Sequence, residues 1–78
     1  MFKLTAHAKE RMGKYGLTEE MIEDCILHYD KIIETYGGRK IYQKNLNGYM
    51  LRVIVEEKDI NTIITCYKTR RKRYEIQI

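Results

Sequence analysis

The sequence predicts an α+β domain in which two N-terminal helices pack on an antiparallel β-sheet meander of four to five strands. Three observations predict it. Apolar residues recur at helical spacing only in the part before Lys31, β-branched and aromatic residues dominate after it, and glycine-containing turn pairs divide that second part. The chain has 78 residues with no repeat, low-complexity tract or linker, so a single domain over residues 1–78 with one core is expected.

Taken in order, Thr5 caps a helix that runs to about Lys14, with Ala8, Met12 and Tyr15 forming an apolar stripe. Gly13 and Gly16 bracket the break that follows. Thr18 caps a second helix; Glu19 and Glu20 favour its positive end, and Met21, Ile22, Cys25, Ile26 and Tyr29 line one face. Strands are expected over Lys31 to Tyr36, Arg39 to Asn45, Tyr49 to Glu57 and Thr62 to Lys68, with turns at Gly37-Gly38, Asn47-Gly48 and Lys58 to Asn61. Tyr74, Ile76 and Ile78 alternate with Glu75 and Gln77 and predict a fifth short strand.

If Gly37-Gly38 and Asn47-Gly48 are two-residue turns, Ile33 opposes Tyr42, Tyr42 opposes Val53, and Gln43 opposes Arg52. One face then carries Ile33, Tyr42, Leu51, Val53, Val55, Ile64 and Cys66, an apolar set suited to receive the helices. The other carries Ile32, Ile41, Met50, Ile54 and Ile63 around a polar centre of Gln43, Arg52, Thr65 and Tyr67. Arg52 sits across from Thr65 or Tyr67, depending on the length of the last turn.

Composition narrows the function. With 44% hydrophobic and 33% charged residues and no long apolar run, no membrane span is expected. Met1 to Thr5 lacks the apolar stretch of a secretory signal, so a cytoplasmic location is expected. Cys25 and Cys66 lie in apolar surroundings typical of small buried thiols, and neither groups with His7 or His28 at metal-ligand spacing. No metal or cofactor is expected. A domain of this size has a radius of gyration of about 11 to 12 Å, so its site is a groove or sheet face rather than a deep pocket.

Net charge is +4, yet Lys68, Arg70, Arg71, Lys72 and Arg73 supply five of the 15 basic residues; without them 10 basic residues face 11 acidic ones. The basicity is therefore local, as contact with a polyanion requires. Tyr67 and Tyr74 beside that run are placed to stack on bases. On the first helix His7 and Arg11 lie four residues apart, with Lys14 a turn further. An imidazole can move a proton while a fixed cation neutralises a developing oxyanion, which makes this a phosphate-handling pair. His28 falls late in the second helix, where capping is its expected role. No glycine-rich phosphate loop, His-Glu-x-x-His or nucleophile elbow occurs, and no paired carboxylates fall on the predicted sheet face. Any nuclease chemistry is therefore expected to be metal-independent.

Spaced residues carry a resemblance along nearly the whole chain: Leu4-Thr5-Ala6-His7-Ala8-x-x-Arg11, Tyr15-Gly16-Leu17-Thr18, Arg39-x-x-Tyr42, Leu51-Arg52-Val53-Ile54-Val55, and Ile63-Ile64-Thr65-Cys66-Tyr67-Lys68-Thr69. In these the sequence resembles the prokaryotic family known as domain of unknown function 4258, whose layout is similar to that of RelE-type and BrnT-type toxin ribonucleases. The resemblance implies a RelE-like domain acting on RNA, by attack of the ribose 2′-hydroxyl on the adjacent phosphate. Carried over, it makes His7 the general acid or base, Arg52 the phosphate stabiliser and Thr65 a hydrogen-bond donor to phosphate. Arg11 and Lys68 become the substrate grip, with Tyr67 or Tyr74 against a base; the contacts of Arg70, Arg71, Lys72 and Arg73 with a nucleic-acid backbone are expected from the charge run alone. The resemblance also implies a small antitoxin-like protein as a partner. The alternative from the residues is a non-catalytic nucleic-acid or protein-binding module built on the basic C-terminal segment. For the enzyme, His7 must reach the face of Arg52 and Thr65, which requires the first helix to lie at an edge of the sheet.

Overall fold

The computed structural model describes residues 2–70. Its elements are β1 (Lys3–Leu4), α1 (Ala6–Tyr15), α2 (Glu19–Leu27), β2 (Lys31–Thr35), β3 (Arg39–Leu46), β4 (Tyr49–Glu56) and β5 (Asp59–Arg70). The five strands form one sheet in the order β1-β5-β4-β3-β2.

Both helices start where their caps predict. Thr5 is extended, and its Oγ1 accepts from the Ala8 N–H at 3.0 Å; Thr18 does the same for Met21 at 3.2 Å. Gly16, in the left-handed region at φ 65°, ends α1, and the following Leu17 N–H bonds back to the Met12 carbonyl at 2.8 Å. That turn delivers Leu17 into the core, where it is 6% exposed. His28 is the C-cap residue of α2, its N–H bonded to the Asp24 carbonyl.

The α+β architecture is as expected, but the sheet is mixed rather than purely antiparallel. Its fifth strand among the described residues is β1, which pairs parallel to β5 through Lys3↔Thr62 and Leu4↔Ile63. The strand expected over Tyr74 to Ile78 lies outside the described residues, as do Arg71, Lys72, Arg73 and Tyr74.

Two turn lengths differ from expectation, and each changes which side chains are buried. Thr35 pairs with Arg39, so the first hairpin loop has three residues, Tyr36, Gly37 and Gly38, with both glycines at positive φ. Ile32 therefore opposes Tyr42 and packs on the core, while Ile33 opposes Ile41 on the other side. A register slip of one residue exchanges faces because side chains alternate with period two. The Asn47-Gly48 turn has two residues as expected, and Tyr42↔Val53 and Gln43↔Arg52 pair as predicted.

The last hairpin turns at Glu57 and Lys58, because Glu56 pairs with Asp59 and β5 begins earlier than expected. Register shifts between Ile54 and Glu56 then place Val55 opposite Ile63, whereas Ile54 opposes Thr65 and Val53 opposes Cys66. Ile64 is the inserted residue of this bulge. Ile63 is consequently fully buried in the core in place of Ile64, and Arg52 faces Tyr67 rather than Thr65.

The core lies between the helices and one sheet face. Ala8, Ile22, Cys25, Val53, Val55, Ile63 and Cys66 are all fully buried there. Tyr29 stands edge-on to Tyr42, with ring centroids 5.4 Å apart. Lys44 reaches from β3 to the Asp24 carboxylate of α2; that hydrogen bond holds the Asp24 pKa below its ordinary value. Among the described residues no helix is long and apolar enough to cross a membrane.

Candidate functional site

Helix α1 lies along β5, and its placement follows from one threonine. The Thr5 N–H donates to the Ile63 carbonyl at 3.2 Å, and its Oγ1 donates to the Ile64 carbonyl at 2.7 Å while capping the helix. The helix therefore starts at the bulge of β5. One turn on, fully buried Ala8 presses on the strand, and its carbonyl accepts from the Cys66 thiol at 3.9 Å. With Ala8 turned inward, His7, Arg11 and Tyr15 follow at intervals of four along the neighbouring stripe.

These side chains form one wall of an open cleft of about 220 Å³, and Thr65, Cys66 and Tyr67 of β5 form the other. Pairing with β1 ends at Ile63, so the strand past that point offers its outer side to the helix among the described residues. Helical and sheet groups meet here for that reason: α1 flanks the edge, and Thr65 and Tyr67 of the face away from the core come within its reach. The geometric condition for convergence is met for His7, Arg11, Thr65 and Tyr67.

Arg52 stands behind this wall. Its Nη1 donates to the Tyr67 hydroxyl at 3.2 Å and its Nε to the Gln43 Oε1 at 2.9 Å. Gln43 is 8% exposed, so the guanidinium is held from a buried acceptor. Arg52 thus reaches the cleft through Tyr67 and does not line it.

The other basic residues lie apart. The Lys68 ammonium sits 5.2 Å from the centroid of the Tyr49 ring, and Lys68 pairs with Leu51, which places it on the helix side of the sheet. Lys68, which the resemblance makes part of the substrate grip with Arg11, alternates with Tyr67 along the strand and is not among the described residues that line the cleft. Arg70 is exposed at the end of β5, opposite Tyr49. Arg71, Lys72, Arg73 and Tyr74 lie outside the described residues. Lys14 rests over the Tyr15 ring at 5.4 Å, and Tyr15 takes the place in the cleft that helical spacing suggested for Lys14.

Tyr15 and Cys66 are the lining residues that sequence reasoning missed. The stripe from His7 through Arg11 to position 15 carries the signal for the first, but the tyrosine reads as core, and it does pack partly there. Burial pushes the Cys66 thiol up to about 11 and the Cys25 thiol up to about 12. Both are free and stay protonated at neutral pH, so Cys66 contributes shape and packing to the cleft rather than a nucleophile. Among the described residues the lining holds one imidazole, one guanidinium, one aliphatic hydroxyl and two phenols, and no carboxylate. Among the described residues no three His, Cys, Asp or Glu side chains gather closely enough to hold a metal ion. The donor set suits an anion with a transferable proton.

The family model described as domain of unknown function DUF4258 matches residues 4–68, which covers both helices and all the described residues that line the cleft. No curated protein matches the chain, and no solved structure does.

Proposed function

Because the chain belongs to the family described as domain of unknown function DUF4258, a description that assigns no reaction, we propose a function from its own cleft: metal-independent endonucleolytic cleavage of RNA. The observation that carries this reading is the meeting of His7, Arg11 and Thr65 in one open cleft. Cleavage by the neighbouring 2′-hydroxyl needs a proton acceptor and cationic stabilisation of the crowded phosphorane. His7 takes the 2′-hydroxyl proton. Arg11 and the Thr65 hydroxyl hold the non-bridging oxygens. The products are a 2′,3′-cyclic phosphate and a free 5′-hydroxyl. In this reading the domain is a RelE-like one working in the cytoplasm, and a small antitoxin-like protein seated in the cleft would silence it.

The test is incubation of the purified protein with RNA in excess chelator, with analysis of the new ends. Expected are cyclic-phosphate termini, and in His7→Ala a rate lowered by about 100-fold or more with the circular dichroism unchanged. An inert wild-type protein, or a His7→Ala variant that cuts as fast, would overturn the reading.

The placement of Lys68 and Arg70 away from the cleft favours a second reading, in which the protein binds nucleic acid without cutting it. Affinity would then fall steeply with salt, and charge reversal at Lys68 and Arg70 would weaken binding while His7→Ala leaves it intact.

A further inference from the structure

A proton acceptor alone leaves the cleavage incomplete, because the 5′-oxygen departs as an alkoxide unless something protonates it. Among the described lining groups, a guanidinium is a fixed cation and an aliphatic hydroxyl a poor acid. The Cys66 thiol is turned to the Ala8 carbonyl. Among the described residues two phenols remain, Tyr15 and Tyr67.

They differ in what stands at the oxygen. Lys14 lies over the ring face of Tyr15. At Tyr67 a guanidinium N–H points at the hydroxyl oxygen itself. Accepting that hydrogen bond leaves the phenol's own proton unspent, and among the described residues no acceptor takes it. Tyr67 forms part of the cleft wall, so an oxygen bound there is the acceptor within reach. After transfer, the negative charge on the phenolate faces the cationic Arg52, which is the arrangement that stabilises it.

We propose that Tyr67 is the proton donor to the leaving 5′-oxygen, and that Gln43 is its positioning residue, acting through Arg52. The step rests on the RNA-cleavage reading above. The 2′-oxygen forms a bond to phosphorus as its proton passes to His7. The bond from phosphorus to the 5′-oxygen breaks, and that oxygen leaves with the electron pair and takes the phenolic proton of Tyr67. Solvent then returns the proton held by His7 to the Tyr67 phenolate, so the enzyme is unchanged. Gln43 fixes the fork from the far side: its carbonyl engages Nε, which turns Nη1 toward Tyr67. A nearly buried amide paired to a guanidinium on a sheet face otherwise rich in isoleucine has this as its evident work.

Leaving-group dependence tests the proposal. The substrates are homopolymeric RNAs of each base and the corresponding ribonucleoside 3′-(para-nitrophenyl phosphates), whose nitrophenolate leaves without protonation. Expected for Tyr67→Phe is a loss of about 100-fold or more on RNA and of no more than a few-fold on the nitrophenyl esters. His7→Ala should lose both. Gln43→Met should follow Tyr67→Phe with a smaller loss on RNA, and Gln43→Glu, which keeps an acceptor for Nε, should restore it. A Tyr67→Phe loss equal on both substrates, or absent from both, would overturn the proton donor while leaving RNA cleavage standing. A Gln43→Met variant with wild-type kinetics would overturn the positioning role. Wild-type protein that cleaves neither substrate would overturn the parent reading and this one with it.

Discussion

Replacing Thr5 by alanine should cost far more than an ordinary surface substitution. The side chain has two duties: Oγ1 accepts from the Ala8 N–H at 3.0 Å and donates to the Ile64 carbonyl at 2.7 Å. Loss of a threonine N-cap costs about 1 kcal/mol. Loss of the second bond, which strands a half-buried carbonyl, costs about another 1 to 2 kcal/mol. The two groups share one oxygen and the losses need not add fully, so about 2 kcal/mol is the working figure. In a domain of this length that corresponds to a fall in Tm of roughly 10 °C. Thr5→Ser keeps the oxygen and should stay within about 0.5 kcal/mol of wild type. Urea unfolding followed by far-ultraviolet circular dichroism measures both. An alanine variant within about 0.5 kcal/mol of wild type, or a serine variant as damaged as alanine, would refute the bridging role of Thr5.

Three further outcomes follow from packing. Gly13 sits inside α1 with open space where a Cβ would be, so Gly13→Ala should stabilise the protein by up to about 1 kcal/mol in the same unfolding experiment. The Cys25 thiol is pushed up from 9.0 to about 12 by burial, so the folded state holds that proton where the unfolded chain has released it. The stability tied to that proton is complete below pH 9 and declines as pH climbs toward about 12, at up to about 1.4 kcal/mol per pH step. Cys25→Ala should show a correspondingly shallower decline than wild type in alkaline unfolding, and a disulfide reagent at pH 8 should label neither Cys25 nor Cys66 until denaturant is added.

The caps were the most legible part of the fold. Thr5 and Thr18 precede helical periodicity, and each forms the bond its position implies. The β3 to β4 register was equally readable, because Asn47-Gly48 closes a two-residue turn and the alternation on both strands agrees with it. The first and last hairpins were not. Gly37 and Gly38 both adopt positive φ, but Tyr36, fully exposed, joins them in the loop, and a run of two adjacent isoleucines, Ile32 and Ile33, reads equally well with either one inward. In β5 the pair Ile63-Ile64 hides the bulge for the same reason, since either isoleucine satisfies a core position. Parallel pairing of β1 was invisible because two residues carry no period.

Of the site, His7 and Arg11 were readable from helical spacing, and Thr65 and Tyr67 from their shared sheet face. Tyr15 was read as a packing residue because its ring does pack, and the second use of its edge shows only when β5 is in place. Lys68 was joined to Arg11 only by the family resemblance; strand alternation puts its ammonium over Tyr49.

The extra residue at Ile64 makes β5 a strand with two parities. Before it the odd position 63 points inward; after it the even position 66 does, which frees the odd positions 65 and 67 for the cleft. Substitutions at 65 and 67 therefore reshape the cleft without disturbing the interior packing of the hairpin's other end. A deletion at position 64 would merge the two frames into one regular alternation with Ile63 and Cys66 still inward and Thr65 and Tyr67 still outward, at the cost of the carbonyl that Thr5 engages.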